Sequence, residues 1–289
     1  MTIVSVRQIS KRYSVLTFDD EISVIVLFGD FHTFVCDTHL GPESMEDVKK
    51  FLSEEPSTRE VIIFNSHSDW DHVWGNCAFK GVTIVGHNSC RKRLFKRGNF
   101  DLKRNYKKTR GAVILTPPNL TFETKLCFED DDVEFIHAPG HTIDSSICLD
   151  RRENILYVGD LVEDPIPYLD YDRLDIYLNT LERILAFQAK IVVSAHSGIV
   201  DTDLIKNNIR YVQSVQKCTT IDSSSLGELE EVHRLNINNL VMLRFEKIVR
   251  ARLQGRFDFD AFWSTVSEPD KITPDALEKR MKDFLEQVG

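Results

Sequence analysis

The stretch Ser66-His67-Ser68-Asp69-Trp70-Asp71-His72 places four imidazole or carboxylate side chains, His67, Asp69, Asp71 and His72, within six residues. Neutral imidazole and ionised carboxylate are donors for zinc, iron or manganese. Any one of them alone would be read as a hydrogen-bonded loop residue. Four in alternation exceed what a loop needs for itself. Three further candidates are His141 in Ala138-Pro-Gly-His-Thr142, Asp160 in Val158-Gly-Asp-Leu161 and His196 in Ser194-Ala-His-Ser197. Each comes after an apolar run and has a small residue beside it. Core packing does not explain four strand ends that each deliver a His or Asp.

The elements that must position these residues follow from periodicity. The run Val61-Ile-Ile-Phe64 before His67 suits a strand buried on both faces. Loops at the carboxyl ends of such strands are where α/β proteins build sites. Strands are predicted at Ile3–Val6, at Ser23–Phe28 and Thr33–Cys36 as a hairpin around Gly29-Asp30, and at Val82–Val85, 112–115, 119–128 and Val133–Ile136. Ser146–Leu149 and Ile155–Val158 form a second predicted hairpin, and Ile191–Ser194 a further strand. Met45, Val48, Phe51 and Leu52 behind Pro42 predict a helix, as do residues 88–97 and the stripe Leu174, Leu178, Leu181, Leu185. Beyond Asp201 the pattern is helical: Leu204, Ile205, Ile209, Val212 and Val215 first, then residues 226–252. Last comes a helix opened by Thr273-Pro274, with Leu277, Met281, Phe284, Leu285 and Val288 on one face. The reading is an α/β sandwich domain over residues 1–205 with a helical C-terminal extension over 206–289.

With these residues in view, the chain resembles the metallo-β-lactamase-fold hydrolase superfamily over about residues 20–200. That superfamily's central motif is H-x-H-x-D-H, followed by a separate His, an Asp and a last His. The segment Asp37-Thr-His-Leu-Gly41 resembles its first motif, in which an Asp supports the metal loop. The resemblance implies a four-layer αββα sandwich. It implies two metal ions, one held by His67, Asp69 and His141, the other by Asp71, His72 and His196, with Asp160 bridging both. At Asp69 the common pattern has His, so a harder, charged ligand stands here. Zinc is the expected metal, and the carboxylate opens the site to iron or manganese. The chemistry implied is hydroxide bridging two ions ~3.5–4 Å apart and attacking a carbonyl or phosphorus, with Asp71 as proton acceptor. The histidines must be neutral to bind, so activity is expected to fall on mild acidification as metal leaves.

The chain has 289 residues and a net charge of −9, which argues against a surface built for nucleic acid or anionic lipid. Arg91 to Arg110 nevertheless holds ten basic residues against one acid, Asp101, so it carries +9 and the remainder −18. A solvated helix and loop is the plain account of that segment, and a docking face for an anionic substrate the sharper one. His137 reads as a packed strand-end residue, His39 equally as metal-loop support or ordinary loop, and His87 as a cap or loop support. His32 and His233 read as surface or structural, and Trp70 and Trp74 as wall and core. Tyr168 and Tyr171 are candidates to line the pocket, and Glu129–Asp132 reads as a solvated turn. Six scattered cysteines without a C-x-x-C pair, no signal-peptide pattern and no membrane-length apolar run give a reduced, cytoplasmic reading.

The function expected is hydrolysis of a small ester, thioester or lactone. A di-iron protein binding or reducing dioxygen or nitric oxide, by likeness to flavodiiron proteins, is one alternative; a phosphodiesterase is the other. The expected partner is a small-molecule substrate, with no membrane and no nucleic acid, and a homodimer is open to the helical extension.

Overall fold

The computed structural model describes residues 3–18, 22–54, 59–217, 229–266 and 271–287. Residues 226–228, Cys218 and Val288 lie outside them. The first sheet runs in chain order: β1 (Ser5–Gln8), β2 (Tyr13–Thr17), β3 (Ser23–Phe28), β4 (His32–Cys36), β5 (Glu60–Asn65), β6 (Thr83–His87) and β7 (Leu120–Phe122). Pairing is antiparallel from β1 to β4 and parallel from β4 to β7. The second sheet holds β8 (Lys125–Phe128), β9 (Val133–His137), β10 (Ser146–Asp150), β11 (Ile155–Tyr157), β12 (Ile191–Ser194) and β13 (Gly198–Val200), again ordered by sequence. Both predicted hairpins are present, β3 with β4 and β10 with β11.

Alternation along the strands builds the layers, because successive side chains point to opposite faces. Ile25, Leu27, Ile62 and Phe64 face the space between the sheets, where they meet Phe135, Cys148, Tyr157 and Val193. Their neighbours Val24, Val26 and Ile63 point outward onto Met45 and Val48 of α1 (Pro42–Glu54). On the far side, Ile147, Leu156 and Val192 point outward onto α4 (Leu174–Ala186) and α5 (Thr202–Gln216) through Leu178, Leu181, Ile205 and Val212. Helix, sheet, sheet, helix is therefore the order of layers, and the uninterrupted apolar runs are strands covered on both faces. Each buried Leu or Ile of these layers stabilises the fold by about 1.5–3 kcal/mol.

Two short helical elements carry the site loop: α2 (Trp70–Val73) and the 3-10 turn Trp74–Ala78. Helix α3 (Asn88–Arg104) is longer than the predicted 88–97. The C-terminal part is α6 (Leu229–Leu253), α7 (Phe259–Trp263) and α8 (Pro274–Gln287), with their own core of Met242, Phe245, Phe262, Leu277 and Met281. Leu229, Val232, Ile237 and Leu240 of α6 pack back onto the sandwich.

Three expectations need correction. Residues 112–115 are not a strand: Leu115 packs over Gly98 of α3, and Pro118 closes over Gly86, so no partner strand is available to them. Residues 119–128 are two strands, because the chain leaves the first sheet after Phe122 and enters the second at Lys125. In the acidic turn, Asp131 is buried and accepts from the backbone N–H of Phe31 at 2.8 Å, with His32 Nδ1 at 2.6 Å.

Candidate metal centre

The chain leaves β5 at Asn65 and turns through Ser66 to Asp71 at the end of the sandwich. Asp37 fixes this loop. Its carboxylate accepts from Ser66 N at 2.7 Å, Ser66 Oγ at 2.6 Å and Tyr157 Oη at 2.6 Å, and pairs with His72 Nδ1 at 2.8 Å. Binding Nδ1 this way aims His72 Nε2 into the site. Asn76, bonded to Thr38 and Asn65, ties the 3-10 turn to the same loop.

The other three candidates arrive from the second sheet. His141 lies in the loop between β9 and β10, with Nδ1 donating to Tyr168 O at 3.1 Å. Asp160 follows β11 after Gly159, whose φ of +55° and closeness to Ser66 (a Cβ there would sit 2.8 Å from Oγ) leave room only for glycine. His196 follows β12.

All seven candidates converge. The Nε2 atoms of His67, His72, His141 and His196 lie 3.6, 3.1, 3.9 and 3.3 Å from the single oxygen Oδ2 of Asp160. Asp69 Oδ2 is 3.6 Å from His67 and 3.3 Å from His141, and Asp71 Oδ2 is 3.4 Å from His196 and 3.8 Å from His72. Three groups are close enough to share an ion: His67, Asp69 and His141; Asp71, His72 and His196; and His67, His72 and Asp160.

The electrostatics call for cations. Burial alone would lower the histidines. Instead the Asp69 hydrogen bond and Asp160 push His141 up to about 10, and Asp160 and Asp71 push His196 up to about 11. His72 is likewise held well above the usual imidazole range against its burial, by Asp160, Asp71 and Asp37. Protons here do the work of positive charge. His67 goes the other way, lowered by burial and by neighbouring His72. Its Nε2, like Asp160 Oδ1, is buried without a hydrogen-bond partner. Orphaned polar atoms are costly to bury, and a divalent cation between neutral imidazoles and carboxylates satisfies both. The residues present fit the metals that the fold implies.

Two side chains of this site were not singled out from the sequence. Arg93, inside the basic segment, turns inward: Nε lies 3.0 Å from Asp144 Oδ1 and donates to Ser68 Oγ at 2.9 Å, while Nη2 reaches Asp170 at 3.2 Å and Asp69 Oδ1 at 3.5 Å. One Asp69 oxygen thus meets the guanidinium while the other faces His67 and His141. Glu163 is buried beside the cluster, with Oε1 lacking a hydrogen-bond partner, and burial together with Asp160 pushes it up to about 8. Its spacing, three residues past Asp160 in an unstructured loop, gave no signal.

The remaining histidines are structural. His87 and His137 stack at 3.7 Å. His87 caps α3 by accepting from Ser89 N and donates Nε2–H to Glu123 O, and His137 donates to Ile143 O. His39 stacks on Phe18 and bonds Ser44 Oγ at 2.7 Å. His32 pairs with Asp131, and His233 with Tyr211 Oη at 3.1 Å.

The cluster forms the floor of a cavity of about 1090 Å³. Trp70 and Tyr168 line it, Trp74 is core, and Tyr171 is not among its lining residues. One wall is basic, from Arg97 to Arg110, and another is contributed by Leu235, Met242 and Val266 of the C-terminal part. Among the described residues, no helix is long and apolar enough to cross a membrane.

Comparison with known proteins identifies the family and the fold. The sequence profile of the metallo-beta-lactamase superfamily matches residues 19–196. Acyl-coenzyme A thioesterase MBLAC2 of Homo sapiens is 26% identical over 185 residues, covering 54% of this chain and 64% of that protein. The Bos taurus protein of the same name is 25% identical over 183 residues, with the same coverage. The match thus spans less than two thirds of either relative. Among solved structures, TMB-1 superposes with a TM-score of 0.58 at 18% identity, covering 73% of this chain and 98% of that one. DIM-1 metallo-beta-lactamase gives 0.57 at 17% identity, covering 73% and 97%.

Proposed function

The chain belongs to the metallo-beta-lactamase superfamily, and from that premise we propose that it is a metal-dependent thioesterase acting on an acyl thioester. The observation that carries the reading is the convergence of four imidazole Nε2 atoms on one Asp160 oxygen, with orphaned His67 Nε2 and Asp160 Oδ1, on the floor of a cavity with an apolar wall. The thioester, in preference to an ester or lactone, is supported by the printed activity of the human and bovine relatives.

His67, Asp69 and His141 would hold one ion, Asp71, His72 and His196 the other, and Asp160 both. Bound divalent ions there would supply a water of pKa ~7 and polarise the acyl oxygen. Asp71 lines the cavity and would take the proton of the attacking water and return it to the departing sulfur. Asp37 keeps His72 in one tautomer and orientation, which preserves the geometry through turnover. Met242 and Val266 would shelter the acyl chain from water.

The test is an assay of the purified protein, reconstituted with zinc, manganese or iron, on a thioester, an ester, a lactone and a phosphodiester. Thiol release that exceeds the other three reactions is the expected result. No thiol release with any metal would overturn the reading. Two irons per chain with an oxygen-sensitive absorption band would favour the dioxygen or nitric oxide alternative.

A further inference from the structure

The basic segment divides by direction. Arg93 and Arg97 turn inward, where Arg97 pairs with Asp101 at 3.0 Å and Asp170 at 3.3 Å. Arg97 also lines the cavity whose floor is the candidate ligand cluster, together with Arg104, Lys107, Lys108 and Arg110. Among the described residues neither Lys107 nor Lys108 is paired with a carboxylate. Their ammonium groups lie 6.0 Å from the Tyr106 ring centre and 5.1 Å from that of Trp70. Trp70 stands between Asp69 and Asp71 in the chain, so Lys108 is one side chain away from the candidate ligands.

This wall is built rather than draped. Lys108 N donates to Asn105 O at 2.8 Å, Arg110 N to Leu40 O at 3.0 Å, and Glu43 N to Arg110 O at 3.0 Å. Gly41, at φ +150°, permits the last contact, since a Cβ there would lie 2.4 Å from Arg110 O. The loop that carries Asp37 thus fixes the cationic wall relative to the metal floor. The cations, the candidate metal ligands and the apolar side chains Leu235, Met242 and Val266 line one and the same cavity. A ligand that fills it meets cations, the candidate metal ligands and apolar side chains.

We propose that Arg104, Lys107, Lys108 and Arg110 form a subsite for phosphate groups, so that the substrate is a thioester whose thiol carrier is phosphorylated. The proposal rests on the thioesterase reading. Lys107 and Lys108, adjacent in the chain and unpaired with any carboxylate among the described residues, suit the several charges of phosphates, with Arg104 and Arg110 flanking them in the cavity lining. A long nucleic acid is disfavoured by the −18 carried outside the segment.

The experiment uses the full chain loaded with zinc, and the variants Lys107→Ala/Lys108→Ala and Lys107→Glu/Lys108→Glu. Both lysines are exposed, so folding is retained and is checked by melting temperature. Activity is compared on an acyl-coenzyme A and on the same acyl group carried by N-acetylcysteamine, which has no phosphate. The ratio of the two kcat/KM values is expected to fall about tenfold or more with the alanines and further with the glutamates. An unchanged ratio overturns the subsite. Adenosine 3′,5′-bisphosphate binding, followed by calorimetry, needs no turnover and is expected to weaken at least tenfold in the alanine variant. Equal binding by wild type and variant, or none by either, overturns the subsite. If the wild type cleaves neither thioester but binds the bisphosphate through these lysines, the thioesterase reading fails and the subsite stands.

Discussion

The two halves of the candidate metal centre are supported differently. In the half made by His67, Asp69 and His141, every member has a partner outside the cluster: Ser66 Oγ at 3.0 Å, Arg93 at 3.5 Å and Tyr168 O at 3.1 Å. The side chains of His67 and His141 are 1% and 6% exposed. In the half made by Asp71, His72 and His196, only His72 has such support, from Asp37. Among the described residues, Asp71 and His196 pair within the cluster alone, and the His196 side chain is 29% exposed. Ligands whose orientation is fixed in advance bind metal more tightly. The half with the outside partners, closed at His67 and His141 though Asp69 is 20% exposed, would therefore hold an ion more tightly than the half open at His196.

The largest effect expected is one that erases the comparison. Asp160 reaches all four histidines through a single oxygen, so Asp160→Ala should remove both ions and reduce hydrolysis by about a thousandfold or more. Metal content per chain and steady-state rates check this. Retention of one tightly held ion would mean that Asp160 belongs to one half only.

Asp37 supports the two halves unequally: it holds His72 directly and reaches His67 only through Ser66 Oγ. It is 1% exposed and answers four donors, so Asp37→Ala leaves them unsatisfied at a cost of about 3–5 kcal/mol in stability. Freed to rotate, His72 should bind its ion about 10–100-fold more weakly. Competition with a chelator reads this as loss of one ion before the other. Equal weakening of both would show that the path through Ser66 to His67 matters as much as the direct bond to His72.

Asp37 was legible in the sequence and Arg93 was not, and the reason is physical. Four ligands in six residues, and an Asp at the end of a strand, are local patterns that mark themselves. Strand-end positions for His141, Asp160 and His196 followed from apolar runs, because a sheet covered on both faces leaves no other reading. Arg93 is one of ten bases, and only packing decides which face of α3 turns inward. The buried face carries Cys90, Leu94, Gly98, Phe100 and Asp101, and hydrophobic periodicity flags its apolar members but not Arg93 and Arg97 beside them. The break at residues 123–124 was hidden for a similar reason. Strand propensity continues across it, while the choice of sheet is made by partners far away in the chain.

Arg93 sharpens the comparison from the closed side. Arg93→Lys keeps the charge but loses the fork that holds Ser68, Asp144, Asp170 and Asp69 together. The ion at His67, Asp69 and His141 should then bind about tenfold more weakly, with the other unchanged. Binding isotherms with two resolved steps measure this. A shift in the open half's step alone would reverse the assignment of Arg93.

The smallest effect concerns the loop that delivers His141. The stacked pair His87 and His137 braces it, His137 by donating to Ile143 O. Burial and His137 hold His87 down to about 4, against about 6.5 in the unfolded chain. Between these values the unfolded state binds the extra proton. This contribution is therefore complete above pH 6.5 and is lost as pH falls toward 4. His87→Asn keeps an acceptor for Ser89 N while removing the titration. Metal-free wild type should lose about 1 kcal/mol more than the variant between pH 7 and pH 5, seen as a steeper fall in melting temperature. Identical slopes would mean that protonation of His87 does not weaken the brace on the loop that delivers His141.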